Sequence, residues 1–188
     1  PSKCQVGYKG LDFLGHRVYE DSRLPSATQL AKILEATRPE TKTQVKSFLG
    51  LTGFYQSYIP KYSNVAAPLT NLLKKNLPTK IVWSEQEENA FQTLKSKLLE
   101  KPILKLPCLD KEFVLRCDAS GYGIGAVVMQ EHNGKQHPVS FASRKLSERE
   151  LNWPISSKEA LSIVFGCQKF HRYLYGRKFT IETDHKPL

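Results

Sequence analysis

The spacing of hydrophobic positions changes period four times along this chain of 188 residues. The first stretch, GLDFLGHRVYED, reads as a short strand, a turn at Gly15 and a returning strand, RVYE. From Ser26 the period becomes helical. Leu30, Ile33 and Leu34 mark a short helix that should stop near Arg38, because Pro39 disfavours helical geometry in the residue before it. TKTQ is a capping-box pattern and opens a second helix. Val45, Phe48, Leu49, Thr52, Tyr55 and Ile59 fall on one side of it, and Pro60 stops it. A third helix covers NVAAPLTNLLKKN, with Val65, Leu69, Leu72 and Leu73 on one side. Lys74 and Lys75 then suit the negative end of its dipole. Three short helices with a basic exterior make a small bundle.

SEQE is a further capping box, beginning a helix through Ala90, Phe91, Leu94 and Leu98 that ends before KPILKLP. Strands then take over. EFVLRCD is strand-like, and GIGAVVMQEHNGKQHPVSFASRKL reads as a hairpin around Asn133-Gly134, the preferred type I′ pair. SSKE should cap a helix with Ala160, Ile163, Val164, Cys167, His171 and Leu174 on its apolar face, closed by Gly176. KFTIETD is a final strand. From Lys111 the expected order is strand, strand, strand, helix, strand. SGYGIGA has the wrong spacing for a dinucleotide loop and leads into a strand, so its glycines are expected to shape a tight turn and admit a ligand close to the backbone.

Composition narrows the class. Apolar residues make up 40% and charged residues 24%, which supports a packed core. The net charge of +10 is uneven: residues 22–82 hold nine Lys and Arg against two acids, whereas residues 108–188 hold twelve against nine. A basic segment beside a nearly balanced one suggests a polyanion-binding module next to a second domain. No apolar run approaches a membrane span. The cysteines, Cys4, Cys108, Cys117 and Cys167, lie far apart without a CxxC pair, which argues against a zinc site and fits reduced thiols.

Three acids stand where chemistry could gather. Asp118 ends the first strand of the second unit, Glu159 lies at the start of the following helix, and Asp184 ends the strand after it. If those two strands are neighbours, the three carboxylates can meet at one sheet edge. Such a cluster needs a cation, and hard oxygen ligands suit Mg²⁺, two of which could serve phosphodiester hydrolysis. Each acid also has a structural reading. Asp118 can form a turn, Glu159 completes a capping box with Ser156, and Asp184 can be a loop residue.

DFLGHRV, VKSFLGLTGFYQSYIPKYSNVAAPLTNLL, WSEQEENAFQTLKSKLL, LRCDASGYGIGAVVMQ, SFASRKLSERELNW, SKEALSIV and FTIETDHKPL occur in the order found in gypsy-class long-terminal-repeat retrotransposon polymerase polyproteins, and the chain resembles that family throughout. The resemblance implies an α+β chain. Residues 1–24 would end the reverse transcriptase palm, 25–80 would be the helical thumb, and 81–188 would be a ribonuclease H-like α/β domain with a mixed sheet, truncated at its end. Phe13, Leu14, Gly15 and His16 match the primer-grip hairpin. Lys46, Lys61, Lys74 and Lys75 join them as expected nucleic-acid contacts on the thumb.

Asp118, Glu159 and Asp184 match three metal-binding acids of ribonuclease H. Two Mg²⁺ ions, or Mn²⁺ in their place, would support hydrolysis of the RNA strand of an RNA–DNA hybrid. A fourth acid and the polymerase aspartates would lie outside this stretch, so the chain alone is expected to be impaired. Implied partners are the hybrid, primer–template duplex and the rest of the polyprotein, in an intracellular setting, cytoplasmic or nuclear. One departure is Gln56 and Ser57, where the family often has arginines. The alternative is a non-catalytic nucleic-acid-binding or assembly module of the same descent.

Overall fold

The structure, a computed structural model, describes residues 7–78, 80–100 and 102–184. Cys4, among the expected reduced thiols, lies outside the described residues. Strands β1 (Gly10–Phe13) and β2 (His16–Tyr19) form the expected antiparallel hairpin. Its turn places Leu14 at φ 46° and Gly15 at φ 79°, a left-handed pair that needs glycine's freedom at the second position. Two strands without a readable pattern extend it. They are β3 (Ser22–Pro25) and the two-residue β4 (Leu104–Lys105), in the order β1-β2-β3-β4. Neither is long enough to show alternation.

Helix α1 (Ala27–Glu35) is capped by Ser26, and α2 (Lys42–Phe54) by the Thr41/Gln44 capping box. The second helix stops short of Ile59. At Tyr55 it tightens into a 3₁₀ turn, Gln56–Tyr58, a geometry that eclipses residues three apart. Tyr55 and Tyr58 therefore turn together toward the hairpin, both fully buried.

The third expected helix is two pieces, α3 (Tyr62–Val65) and α4 (Ala67–Leu72). Pro68 near the start of α4 lacks an N–H and would clash with the carbonyl four residues back, so the helix restarts at Ala66. Lys74 and Lys75 lie beyond its end and do not serve as its dipole partners. The Lys42 ammonium instead donates to the carbonyls of Lys74 (2.5 Å) and Leu77 (2.6 Å).

Helix α5 (Glu85–Leu99), opened by the Ser84/Glu87 capping box, buries Phe91, Leu94 and Leu98 with Ile33, Val45, Phe48 and Leu69. A boundary at residue 81 therefore separates α5 from a core that it helps to build. In packing terms the first core extends to Leu104, and the second begins at Phe113.

The second unit is a four-stranded mixed sheet in the order β7-β6-β5-β8. Strands β5 (Phe113–Ala119), β6 (Gly123–His132) and β7 (Lys135–Lys145) are antiparallel, and β8 (Phe179–Glu182) runs parallel to β5. Asn133 (φ 53°) and Gly134 (φ 74°) make the expected turn. Between β7 and β8 run α6 (Glu148–Leu151), α7 (Ile155–Lys169) and α8 (His171–Leu174). Among the described residues no helix is long and apolar enough to cross a membrane.

Helix α7 buries the face that its hydrophobic spacing suggests only in part: Ile163 and Cys167 pack against the second core, but the most buried positions lie to one side of them. The sheet side carries Glu159, Ser162 and Gly166, while Val164 is 51% exposed. A Cβ on Gly166 would lie 3.1 Å from Leu115, Cys117 and Ala126 side-chain atoms, so the helix sits closer to the sheet than a larger residue would allow. Gly166→Val should therefore lower stability by about 1–3 kcal/mol through overpacking, whereas Val164→Ala should stay within about 0.5 kcal/mol. Urea denaturation of the two variants measures both; the reverse order would restore the face read from the hydrophobic spacing.

Candidate metal centre and nucleic-acid interface

At the hairpin tip, Phe13 (59% exposed) and Leu14 (74% exposed) present apolar surface to solvent. The backbone behind them is fixed. The Gly15 carbonyl accepts from Tyr55 Oη (2.6 Å) and from the Ser26 amide (3.0 Å). The His16 ring stacks on Phe54, meets Tyr55 edge-on, and shares a hydrogen bond of 2.9 Å between its Nδ1 and Tyr58 Oη. Burial, then the nearby Arg23 guanidinium, lowers the His16 pKa, while burial pushes that of Tyr58 up to about 12. The tip is thus carried on a neutral aromatic box that joins hairpin to helices. The aromatic spacing of GFYQSY is the signal from which this box could have been read, though nothing local pairs it with His16. Lys46, Lys74 and Lys75 stand exposed.

Asp118 lies on β5 in the same alternation as Arg116, opposite the Leu115 and Cys117 face that α7 covers. Glu159 is 4% exposed, and its Oε1 accepts from the Ala119 amide at 3.2 Å. It is not a capping residue. The N-cap of α7 is Pro154, and Ser156 lies inside the helix, so the expected capping box is absent. Beside it the buried Lys158 donates to the Leu151 carbonyl (2.9 Å) and ties the α6 turn to the first turn of α7.

Asp184, just past β8, shares a cavity of about 280 Å³ with Asp118, Arg116, Cys117, Glu182 and Thr183. Glu182 is taken by Arg116, which donates to it at 2.6 and 2.9 Å and, with Gln136, holds its carboxyl below the usual range. The structure brings Asp118 and Asp184 to one cavity and Glu159 to the adjoining backbone. Among the described residues no three Asp, Glu, His or Cys side chains close into a ligand set.

Lys61 is not on the outer face with the other lysines. Held at φ 51° before α3, it places its ammonium 2.5 Å from Asp118 Oδ2. The turn around it lies directly on β6. A side chain at Gly123 would meet Asn64 Oδ1 at 2.3 Å, and one at Gly125 would touch the Lys61 stem at 3.9 Å. Asn64 Nδ2 donates to Ser120 Oγ (3.1 Å), the Ser63 amide to Ser143 Oγ (2.8 Å), and Lys145 Nζ to Asn71 Oδ1 (2.8 Å). Gly123 and Gly125 of SGYGIGA thus admit the chain's own turn.

The hard carboxylate oxygens of Asp118, Asp184 and Glu159 fit a divalent cation in donor chemistry. One cation, the Lys61 ammonium, already faces the first of them.

Comparisons with known proteins give this geometry a family. The chain is 43% identical over 187 residues to the Retrovirus-related Pol polyprotein from transposon 297 of Drosophila melanogaster, covering 99% of this chain and 17% of that one. It is 34% identical to the corresponding polyprotein from transposon 412 of the same fly, and 32% identical to the Transposon Tf2-3 polyprotein of Schizosaccharomyces pombe. Those alignments cover this whole chain but only 15% and 14% of the relatives. In fold it is similar to the foamy viral protease-reverse transcriptase dRH in complex with double-stranded DNA, with a TM-score of 0.82 at 21% identity, over 94% of this chain and 31% of that one. A structure of the foamy viral protease-reverse transcriptase with RNA/DNA hybrid gives 0.80 at 21% identity, over 94% and 24%. Residues 83–181 match the family described as an RNase H-like domain found in reverse transcriptase, and the chain belongs to that family.

Proposed function

We propose that this chain is the thumb and ribonuclease H-like portion of a gypsy-class retrotransposon polymerase, which grips primer–template duplex or RNA–DNA hybrid and, in the complete domain, hydrolyses the RNA strand. The observation that carries the reading is the placement of the three acids. Glu159 is drawn into the sheet edge at Ala119, next to Asp118, and Asp184 shares the cavity of Asp118. A buried acid is costly unless it is hydrogen-bonded or paired, and Glu159, which has no capping task, takes its hydrogen bond from the strand that carries Asp118.

Asp118, Glu159 and Asp184 would hold Mg²⁺ or Mn²⁺, which when bound would supply an activated water and stabilise the leaving oxygen. The protein's own part is to fix the carboxylates. The Ala119 amide orients Glu159, and Lys158 anchors the start of its helix. The hairpin tip and the exposed lysines would hold the nucleic acid through its backbone. The relatives in fold bound to double-stranded DNA and to RNA/DNA hybrid support that assignment. The second reading, a binding module without catalysis, draws on the Lys61 contact, which keeps a protein cation at Asp118.

Two experiments separate them. In the chain extended downstream through the complete domain, Asp118→Asn should reduce Mg²⁺-dependent cleavage of the RNA in a hybrid by about 100-fold or more, the scale of losing a charge-stabilising group at a reacting centre. Glu159→Gln should keep the fold, by circular dichroism, and lose activity similarly. Normal cleavage in both variants would leave the binding-module reading standing.

Binding itself should be dominated by phosphates. Affinity of the chain for hybrid should fall steeply with salt, and changing Lys74 and Lys75 together to Ala should flatten the log–log salt slope by about 2 with no change in sequence preference. Fluorescence anisotropy over a salt series measures it, and a sequence-dependent loss would remove the two lysines from the backbone interface.

A further inference from the structure

The turn at residues 60–64 joins the helical core to the sheet at the same place where Asp118 faces its cavities. A backbone held in the left-handed region is uncommon for lysine. It persists here because the surroundings fix it: Asn64 on Ser120, the Ser63 amide on Ser143, and glycines beneath at 123 and 125. The result is an ammonium delivered onto one carboxylate oxygen of Asp118. Arg116, the other cation lining both cavities beside Asp118, is already engaged by Glu182 and Gln136. Lys61 is therefore the side chain that meets the charge of Asp118.

From this geometry we infer that Lys61 is an internal competitor for the cation position at Asp118, so that seating of the 60–64 turn on the sheet and loading of a divalent metal oppose each other. The inference rests on the metal-site reading above. A metal bound at Asp118 and the ammonium 2.5 Å from its Oδ2 share one carboxylate and repel, so each weakens the other's hold. When Lys61 leaves, the turn loses one of the contacts that hold its left-handed backbone, and the hydrogen bonds of Ser63 and Asn64 weaken with it. Linkage makes this reciprocal. Whatever lifts the turn, such as a duplex pulling on the helices, raises metal affinity, and metal loosens the helices from the sheet by the same factor. The helical core would thereby report its position to the acids without touching the metal.

The test uses the chain extended downstream through the complete domain and Mn²⁺ as the probe, with free Mn²⁺ read by electron paramagnetic resonance. Lys61→Met keeps the stem over Gly125 and removes the charge, and should tighten Mn²⁺ binding by about tenfold, within the usual range of such couplings. Lys61→Arg keeps the cation and should leave affinity near wild type, which guards against a mere folding effect. Hydrogen exchange of the Ser63 amide is the second readout. Saturating Mn²⁺ should speed it in the wild type, where it reports lifting of the turn. Asp118→Asn separates the two ideas. Equal Mn²⁺ affinity in wild type and Lys61→Met, with binding abolished by Asp118→Asn, would leave the site standing and overturn the competition. Mn²⁺ binding unaffected by Asp118→Asn, or absent from wild type and Lys61→Met alike, would overturn the metal-site reading on which the competition depends.

Discussion

A side chain on Gly123 would collide with Asn64 Oδ1 at 2.3 Å, and that missing atom lets the 60–64 turn rest on the face of β6. Much of the arrangement follows from it. The turn runs from the end of the 3₁₀ segment into α3, so its seat fixes where the first core stands relative to the second sheet. Phe141 of β7 packs against that first core, and Arg23 reaches the Val139 carbonyl at 3.5 Å. The hairpin tip is tied to the same helices through Gly15 and His16. The proposed contact surface for nucleic acid and the three candidate acids are thereby referred to one frame, although they belong to different packing cores.

The opposite face of the sheet obeys a related rule. Helix α7 meets it through Ser162 and Gly166, and the closeness that these allow brings Glu159 to the Ala119 amide. A bulkier helix face would hold the backbone further off, and the carboxylate would fall short of the strand. Small residues here act through position: they trade buried apolar area for reach.

Much of this was legible in the sequence, and the failures are informative. The capping boxes at Thr41 and Ser84 and the Asn133-Gly134 turn are local chemistry, complete within a few residues, and they form as read. The helix through Ile59 fails because Tyr55 and Tyr58 answer to His16, some forty residues away, and no local pattern encodes that pull. The apolar face of α7 holds at Ile163 and Cys167 but misleads at Val164, because periodicity ranks residues by hydrophobicity, whereas the centre of this interface selects for size. Among the acids, sequence placed Asp118 and Asp184 at strand ends as found. The capping assignment for Glu159 dissolved because Pro154 starts the helix earlier. The ammonium on Asp118 was invisible, since Lys61 reads as one more basic residue until the turn is folded.

The close approach of α7 also has a chemical consequence for the thiols. Cys117 is sealed between Gly166 and the sheet, and burial, with Cys167 and Glu159 nearby, pushes its pKa up to about 12. Thiolate is the reactive form, so Cys117 stays protonated and inert throughout the neutral range. Cys167, partly exposed, is shifted the same way by burial. Cys108 is also partly exposed. It sits where Gln130 clasps its backbone, accepting from the Cys108 amide and donating to its carbonyl. Among the described residues, thiol chemistry is thereby kept off Cys117 and the helix–sheet seam that holds Glu159.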